Sequence, residues 1–255
     1  MKIPKWVLQD LLNYINKSKK EDTDTIIAKT LLSKRNELFD LSLDQLSSLC
    51  YVSQPSITRF IQKMGYKSYN EFRNAMYISC YEMENLNPRL DNGSITQARD
   101  TIYNSIREAL ECIKEIDLES LQNIIYKLQE FKTIYIFGSE LSTSISFKLQ
   151  VGLISMGKDV YCISDANYQN QLYSTMDKDC LLICISMEGR WFKYIDIEAF
   201  NKCSAYKMLW TVLEKHDSQD IFDTVYRFGK IMDKDIAYNE LMYFILLVYN
   251  LVLEK

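Results

Sequence analysis

Residues 43–65 constrain the fold most, because they contain two short helical patterns with defined ends. Two sets of apolar residues keep a helical spacing on either side of a three-residue break: Leu43, Leu46, Leu49 and Cys50, then Ile57, Phe60, Ile61 and Met64. Ser53 is a suitable N-cap, Pro55 suits the first turn of the second helix, and Gly65 is a suitable C-terminal stop. The pattern predicts a helix-turn-helix.

The outward face of the second predicted helix is polar and cationic and has no carboxylate. Arginine, glutamine and serine hydrogen-bond base edges in a major groove, while lysine and threonine hold phosphates. We therefore predict DNA contacts from this helix and the residues that follow it: Gln54, Ser56, Thr58, Arg59, Gln62, Lys63, Lys67 and Tyr69. The alternative is a solvated helical hairpin, whose outer face is also polar.

The charge distribution favours a DNA contact in the N-terminal third. The whole chain of 255 residues has a formal net charge of -4, which argues against nucleic-acid binding along its full length. Residues 1–85 hold 12 lysines and arginines against 10 aspartates and glutamates, whereas residues 86–255 hold 18 against 24. A polyanion such as DNA is therefore expected to bind the N-terminal part.

Seven scattered cysteines form no C-x-x-C pair, so neither a disulfide framework nor a metal site is expected. The first ten residues have no apolar core that would indicate a signal peptide, and the apolar stretch 241–253 is too short to span a bilayer. We expect a cytoplasmic protein that has no membrane contact and needs no cofactor.

The chain is expected to have two domains. Helical patterns cover residues 5–16, 23–34 and 68–81 around the helix-turn-helix, so residues 1–84 are predicted to be an all-α domain. Residues 85–94 contain Pro88 and Gly93 and lose the periodicity, which is typical of a linker. Residues 95–255 form the second predicted domain.

Strands and helices alternate in the second domain after two further helices, at 95–116 and 118–131. Short apolar runs predict strands at 134–137, 160–163, 180–186, 205–211 and 224–228. Helices are predicted between them, one capped by Ser142 and running to Met156, and others at 168–175, 191–202 and 237–253. Such alternation predicts an α/β domain with a parallel sheet flanked by helices.

The sequence pattern of the N-terminal part is specific enough to suggest a family. The ordered series Val52-Ser53, Ile57-Thr58-Arg59-Phe60, Lys63-Met64-Gly65-Tyr66 and Tyr69-x-x-Phe72 resembles the DNA-binding domain of RpiR-type bacterial transcriptional regulators. The loops Gly138–Ser142 and Ser186–Arg190 resemble the two phosphosugar loops of the SIS (sugar isomerase) domain, the usual C-terminal partner of that domain. The SIS domain pattern is also similar in the spacing of residues from Phe147 to Val160 and in the run Ser164-Asp165-Ala166.

The resemblance implies a ligand site for a sugar-derived effector in the second domain. Ligands of parallel α/β sheets bind beyond the carboxyl ends of the strands, where helix N-termini offer free amides. The residues implied are Ser139, Ser142, Ser186, Glu188 and Gly189.

Three residues depart from the SIS pattern. Glu140 stands where the first loop usually has its second glycine, Glu188 where the second loop has its second serine, and Trp191 where that loop has a threonine. Carboxylates near a phosphate oppose its binding, so we expect a simple phosphosugar to bind weakly or not at all. Alternatively, both glutamates point to solvent.

Three functions fit these features. The first is a dimeric DNA-binding regulator controlled by a carbohydrate-derived metabolite, and the second is a regulator whose SIS domain only dimerises. A phosphosugar isomerase is the third, but the lone histidine, His216, lies in a charged stretch and gives little support for a general base. We therefore expect no enzyme and no catalytic residue. The apolar residues of the last predicted helix are expected to supply the dimer contact, although a buried core helix would show the same pattern. These residues are Leu241, Met242, Phe244, Ile245, Leu247, Val248, Leu251 and Val252.

Overall fold

The computed structural model describes residues 7–18, 20–86, 95–187, 189, 191–193, 195–212, 219–228 and 234–253. It divides into two compact units, one within Met1–Asp91 and one within Asn92–Lys255. The described part of the first unit is all helical, with helices α1 (Val7–Lys17), α2 (Thr23–Ser33), α3 (Leu43–Cys50), α4 (Gln54–Lys63) and α5 (Tyr69–Leu86).

Helices α3 and α4 form the predicted helix-turn-helix. Ser42 and Gln45 cap α3 reciprocally, since each side chain accepts a hydrogen bond from the other residue's backbone amide. The chain leaves α3 through Tyr51 in the left-handed conformation and leaves α4 through Gly65, whose φ of 85° favours glycine. Ser53 occupies the N-cap of α4 and Pro55 its first turn, as predicted.

The second unit is a parallel five-stranded sheet flanked by helices, which confirms the predicted fold class. Its strands are β1 (Thr133–Gly138), β2 (Asp159–Ile163), β3 (Cys180–Ser186), β4 (Tyr206–Thr211) and β5 (Thr224–Arg227), in the order β2-β1-β3-β4-β5. Its helices are α6 (Ile95–Lys114), α7 (Leu118–Glu130), α8 (Glu140–Ser155), α9 (Ala166–Leu172), α10 (Ile197–Lys202) and α11 (Lys234–Leu253).

Both faces of this sheet are covered, because successive residues of β3 point to opposite sides. Leu181, Ile183 and Ile185 pack in a core with residues of α7, α8 and α11. Cys180, Leu182 and Cys184 pack in a second core with residues of α9 and α10. Every residue of β3 is buried, which explains its uninterrupted apolar sequence.

Three helix predictions were wrong in detail. The predicted helix 168–175 is α9, which ends at Leu172, followed by a 3-10 turn at Tyr173–Thr175. Helix α8 begins at Glu140 with Ser139 as its N-cap, so Ser142 lies inside the first turn and does not cap the helix. The predicted helix 191–202 is two elements, a 3-10 turn at Trp191–Lys193 and α10, which begins after Asp196. The Asp196 side chain accepts a hydrogen bond from the amide of Ala199, so this aspartate provides a later N-cap.

Helix α11 is a core helix. Five of the eight residues predicted to form the dimer contact are almost completely buried within their own unit: Leu241, Phe244, Ile245, Val248 and Val252. The prediction that these five side chains form a dimer contact was wrong, because α6, α7 and α8 already surround the helix. Met242, Leu247 and Leu251 are only half-buried.

Across the residues described, no helix is long and apolar enough to cross a membrane. The same residues include no group of three or more histidine, cysteine, aspartate or glutamate side chains placed to hold a metal ion. All seven cysteines are free thiols.

Candidate functional sites

The first candidate site is the exposed face of α4. Ile57, Phe60 and Ile61 are buried in the core of the first unit, where Phe60 meets the ring of Tyr14 edge-on at 5.3 Å. Because these residues fix one side of the helix inward, the polar residues lie on the opposite side. Gln54, Arg59, Gln62 and Lys63 are exposed, and Ser56 and Thr58 are half-exposed.

Hydrogen bonds at the start of α4 hold several of these side chains in place. The Nε2 group of Gln54 donates to Oδ1 of Asp44 in α3 over 3.0 Å. The hydroxyls of Ser53 and Ser56 are 3.0 Å apart, and Nη2 of Arg59 donates to Oγ of Ser56 over 3.3 Å. Arg59 forms no ion pair with any residue that the structure describes, so its charge is available at this face.

Lys63, at the other end of α4, is held by the first two helices. Its Nζ is 2.9 Å from Oδ2 of Asp24 and 5.4 Å from the ring centroid of Tyr14. The hydrogen bond and charge of Asp24 raise the pKa of Lys63, so the side chain stays protonated. A DNA phosphate would therefore compete with Asp24 for this ammonium group.

The two predicted contacts beyond α4 differ in exposure. Lys67 is exposed and its backbone amide donates to Oε2 of Glu71 over 2.6 Å. Tyr69 is buried, and its hydroxyl donates to the carbonyl oxygens of Leu38 and Leu41. The prediction that Tyr69 contacts DNA was wrong: its ring and hydroxyl anchor α5 to the loop before α3.

The second candidate site lies at the carboxyl ends of β1 and β3. Ser139 is the exposed N-cap of α8, and its Oγ is 3.4 Å from Oγ of the buried Ser142. Ser186 ends β3, and its buried hydroxyl has no hydrogen-bond partner among the residues described. An unpaired buried hydroxyl costs free energy unless a water or a ligand satisfies it.

Glycines shape this edge of the sheet. A Cβ atom on Gly138 would lie 2.9 Å from Cβ of Ser142 and 3.1 Å from the carbonyl oxygen of Ile185, so only glycine lets these elements approach so closely. Gly189 has a φ of 72° and is buried. Glu188 lies outside the described residues, as does His216, and nothing is described of the Glu140 side chain.

Gln169 of α9 joins three elements at this edge. Its Nε2 group donates to the carbonyl oxygens of Gly138, over 3.0 Å, and of Ile163, over 2.6 Å. Its Oε1 accepts a hydrogen bond of 2.9 Å from the indole Nε1 of Trp191. The side chain is 1% exposed, so the amide ties the ends of β1 and β2 to the segment after β3.

Trp191 is a core residue of the second unit. The side chain is 6% exposed, and its ring packs against three phenylalanines, Phe192, Phe200 and Phe222. In the sequence, Trp191 stands out only as a departure from a loop pattern, and nothing marks Gln169 as a functional residue. An amide on a short helix gives no periodic or motif signal, so only the fold reveals this link.

A sequence model described as the helix-turn-helix domain of the rpiR family matches residues 9–81. An uncharacterized HTH-type transcriptional regulator from the aarA 3' region of Providencia stuartii is 28% identical over 190 residues. That alignment covers 71% of this chain and 64% of the relative, which is less than two thirds of its length. The HTH-type transcriptional regulator GlvR of Bacillus subtilis (strain 168) is 26% identical, with coverage of 71% and 67%.

The fold also matches a solved structure along nearly the whole chain. The NanR protein of Vibrio vulnificus, solved as a complex with ManNAc-6P, aligns with a TM-score of 0.54 and 17% identity. The alignment covers 97% of this chain and 91% of NanR. At this identity the likeness concerns the fold alone: a helical N-terminal unit followed by a parallel sheet flanked by helices.

Proposed function

We propose that this chain, whose residues 9–81 form a helix-turn-helix domain of the rpiR family, is a DNA-binding transcriptional regulator. The observation that carries the proposal is the exposed face of α4, which presents Gln54, Arg59, Gln62 and Lys63 and no carboxylate. The related proteins that align with this chain are named as regulators, which also supports a regulator rather than an isomerase.

In this proposal α4 enters the major groove. Its buried apolar side fixes the helix on the domain, and its polar side faces the base edges. Arg59 and Lys63 supply the positive charge that attracts the phosphates, and Lys67 adds a cation just beyond the helix. Gln54 and Gln62 carry amides that discriminate among bases.

A mobility shift against genomic fragments at fixed salt tests this proposal. The Arg59→Ala, Lys63→Ala double variant should bind every fragment more weakly, because it loses two cations from the DNA-facing side. The matched control is Lys114→Ala, Lys202→Ala, which removes the same charge from the second unit, where both lysines pair with glutamates. Wild-type affinity in the Arg59, Lys63 double variant would reject α4 as the recognition helix.

We also propose that the regulator acts as a homodimer. One recognition helix reads only a few base pairs, so specificity on a symmetric site needs two copies. Phe147, Val151 and Ile154 lie at helical spacing on α8 and are each about half exposed or more, which gives the second unit an apolar surface suited to a second copy. Sedimentation should show a dimer at micromolar concentration, and a Phe147→Glu, Val151→Glu variant should be a monomer. A wild-type monomer would contradict the proposal.

For the second unit we propose a site for a sugar-derived effector at the carboxyl ends of β1 and β3. The N-terminus of α8 offers backbone amides, and Ser186 offers a buried hydroxyl without a described partner. Glu140 opens α8, and Glu188 follows β3 by two residues, so the local charge opposes a phosphate. The expected ligand is therefore a neutral or amino sugar rather than a simple sugar phosphate.

Calorimetry with sugar phosphates, amino sugars and neutral sugars tests the effector site. A neutral or amino sugar should bind the wild type. Ser186→Ala should weaken that binding because it removes a hydroxyl that would contact the ligand. The substitution leaves no described protein group without a hydrogen-bond partner. Tight binding of a sugar phosphate would contradict the expected charge preference. Binding of none of these compounds would instead favour a second unit that serves only for dimerisation.

A further inference from the structure

The hydrogen bond between Gln54 and Asp44 fixes which end of the glutamine amide faces outward. Gln54 is the first residue of α4, and its amide lies 3.0 Å from Oδ1 of Asp44, in the first turn of α3. A carboxylate only accepts hydrogen bonds, so the NH₂ group of Gln54 must face it. This contact uses one of the two N–H groups; the other N–H and the carbonyl Oε1, on the opposite arm of the planar amide, are left for a partner on the exposed side.

We infer that Asp44 is a positioning residue that makes Gln54 present an acceptor to the DNA bases. The inference rests on the proposed DNA-binding function and adds a chemical preference to it. Both side chains are exposed, and residues at the N-terminal end of a recognition helix are those that contact base edges.

The bases in the major groove divide into two classes for such an acceptor. Adenine and cytosine each present an exocyclic amine, N6 or N4, which donates a hydrogen bond. Guanine and thymine present only acceptors, O6 with N7 or O4, which would face Oε1 without a shared proton. The amine of adenine or cytosine can donate to Oε1, whereas a keto base can be met only by the single N–H that Asp44 leaves unused. We therefore expect Gln54 to favour an amino base over a keto base.

Asp44→Asn tests this orientation without changing the size of the side chain. An asparagine can accept from NH₂ of Gln54 or donate to its Oε1. The Gln54 amide is then free to turn, and a keto base becomes an acceptable partner. Gln54→Ala removes the contact altogether, and Asp40→Asn is the matched control, since it makes the same change at another exposed residue of this unit.

The experiment selects duplexes from a randomised pool with the full-length chain and sequences the bound fraction. The wild type should enrich an amino base at one position of each half-site, by about fivefold or more over a keto base. That preference should disappear in Gln54→Ala and in Asp44→Asn and persist in Asp40→Asn. Asp44→Asn should bind duplexes with the keto base more tightly than the wild type does. Gln54→Ala should bind duplexes with the amino base more weakly than the wild type does.

Two results would overturn the inference. One is an amino-base preference that survives Asp44→Asn, and the other is a keto base at the position that depends on Gln54. If the wild type enriches no sequence at all, the proposed DNA-binding function itself fails, and the inference fails with it. Circular dichroism of each variant confirms that the helical unit is folded.

Discussion

On α4 the candidate functional side chains stand on the surface of one regular helix, whereas the serines at the carboxyl edge of the sheet are held where β1, β3 and α8 meet. Arg59, Gln62 and Lys63 are exposed, while Ser142 and Ser186 are almost completely buried. A partner reaches the first set without any change in the core. Changes near the second set alter the packing of the domain as well as its ligand chemistry.

This difference separates binding from stability. Substitutions of exposed residues away from caps and core contacts usually alter the free energy of unfolding by less than about 0.5 kcal/mol. Substitutions of buried polar and aromatic residues lower the free energy of unfolding several times more, because they leave cavities or unpaired polar groups. The two sites should therefore respond differently to substitution, and the contrast can be measured.

The largest effect is expected from Trp191→Ala. Removal of a buried aromatic side chain from the cluster with Phe192, Phe200 and Phe222 should lower the free energy of unfolding of the second unit by about 3–5 kcal/mol. Denaturant titration measures this change. Tyr103→Ala is the control, because this aromatic residue is exposed on α6; equal stability of the two variants would show that Trp191 is not a core residue.

A smaller loss is expected from Gln169→Met, which keeps the volume but removes the amide. The variant leaves the carbonyl oxygens of Gly138 and Ile163 and the buried Trp191 indole N–H without the Gln169 partner, at a cost of about 2–4 kcal/mol. Gln171→Met on the same helix is the matched control, since Gln171 is exposed. A thermal melt in which the two variants unfold together would remove Gln169 from its linking role.

The smallest effect separates the two cations of α4. Arg59→Ala should weaken DNA binding by about tenfold and reduce the salt dependence by about one phosphate contact. Lys63→Ala should weaken it less, because Lys63 already pairs with Asp24. Titrations at several salt concentrations compare the two variants. A larger loss of DNA affinity for Lys63→Ala would show that a DNA phosphate displaces Asp24 and binds the Lys63 ammonium group.

Part of the candidate site on α4 could be predicted from the sequence. Helical spacing showed that Ile57, Phe60 and Ile61 lie on one side of α4, and the structure confirms that these residues are buried. The same helical spacing correctly places Arg59 and Gln62 on the exposed side. It failed for Tyr69, because a tyrosine just beyond a helix is equally compatible with a surface contact and with a buried ring whose hydroxyl is satisfied.

The sequence by itself determined the order of the two units, the helix-turn-helix and the strands of the parallel sheet. Periodicity, capping residues and apolar runs are local signals, and they report which side of an element is apolar. Only the tertiary structure decided which side chains meet: Lys63 with Asp24, 39 positions away, and Trp191 with Gln169, 22 positions away. A hydrogen bond requires atoms within about 3 Å, and the folded arrangement of several elements sets that distance, which no local pattern encodes.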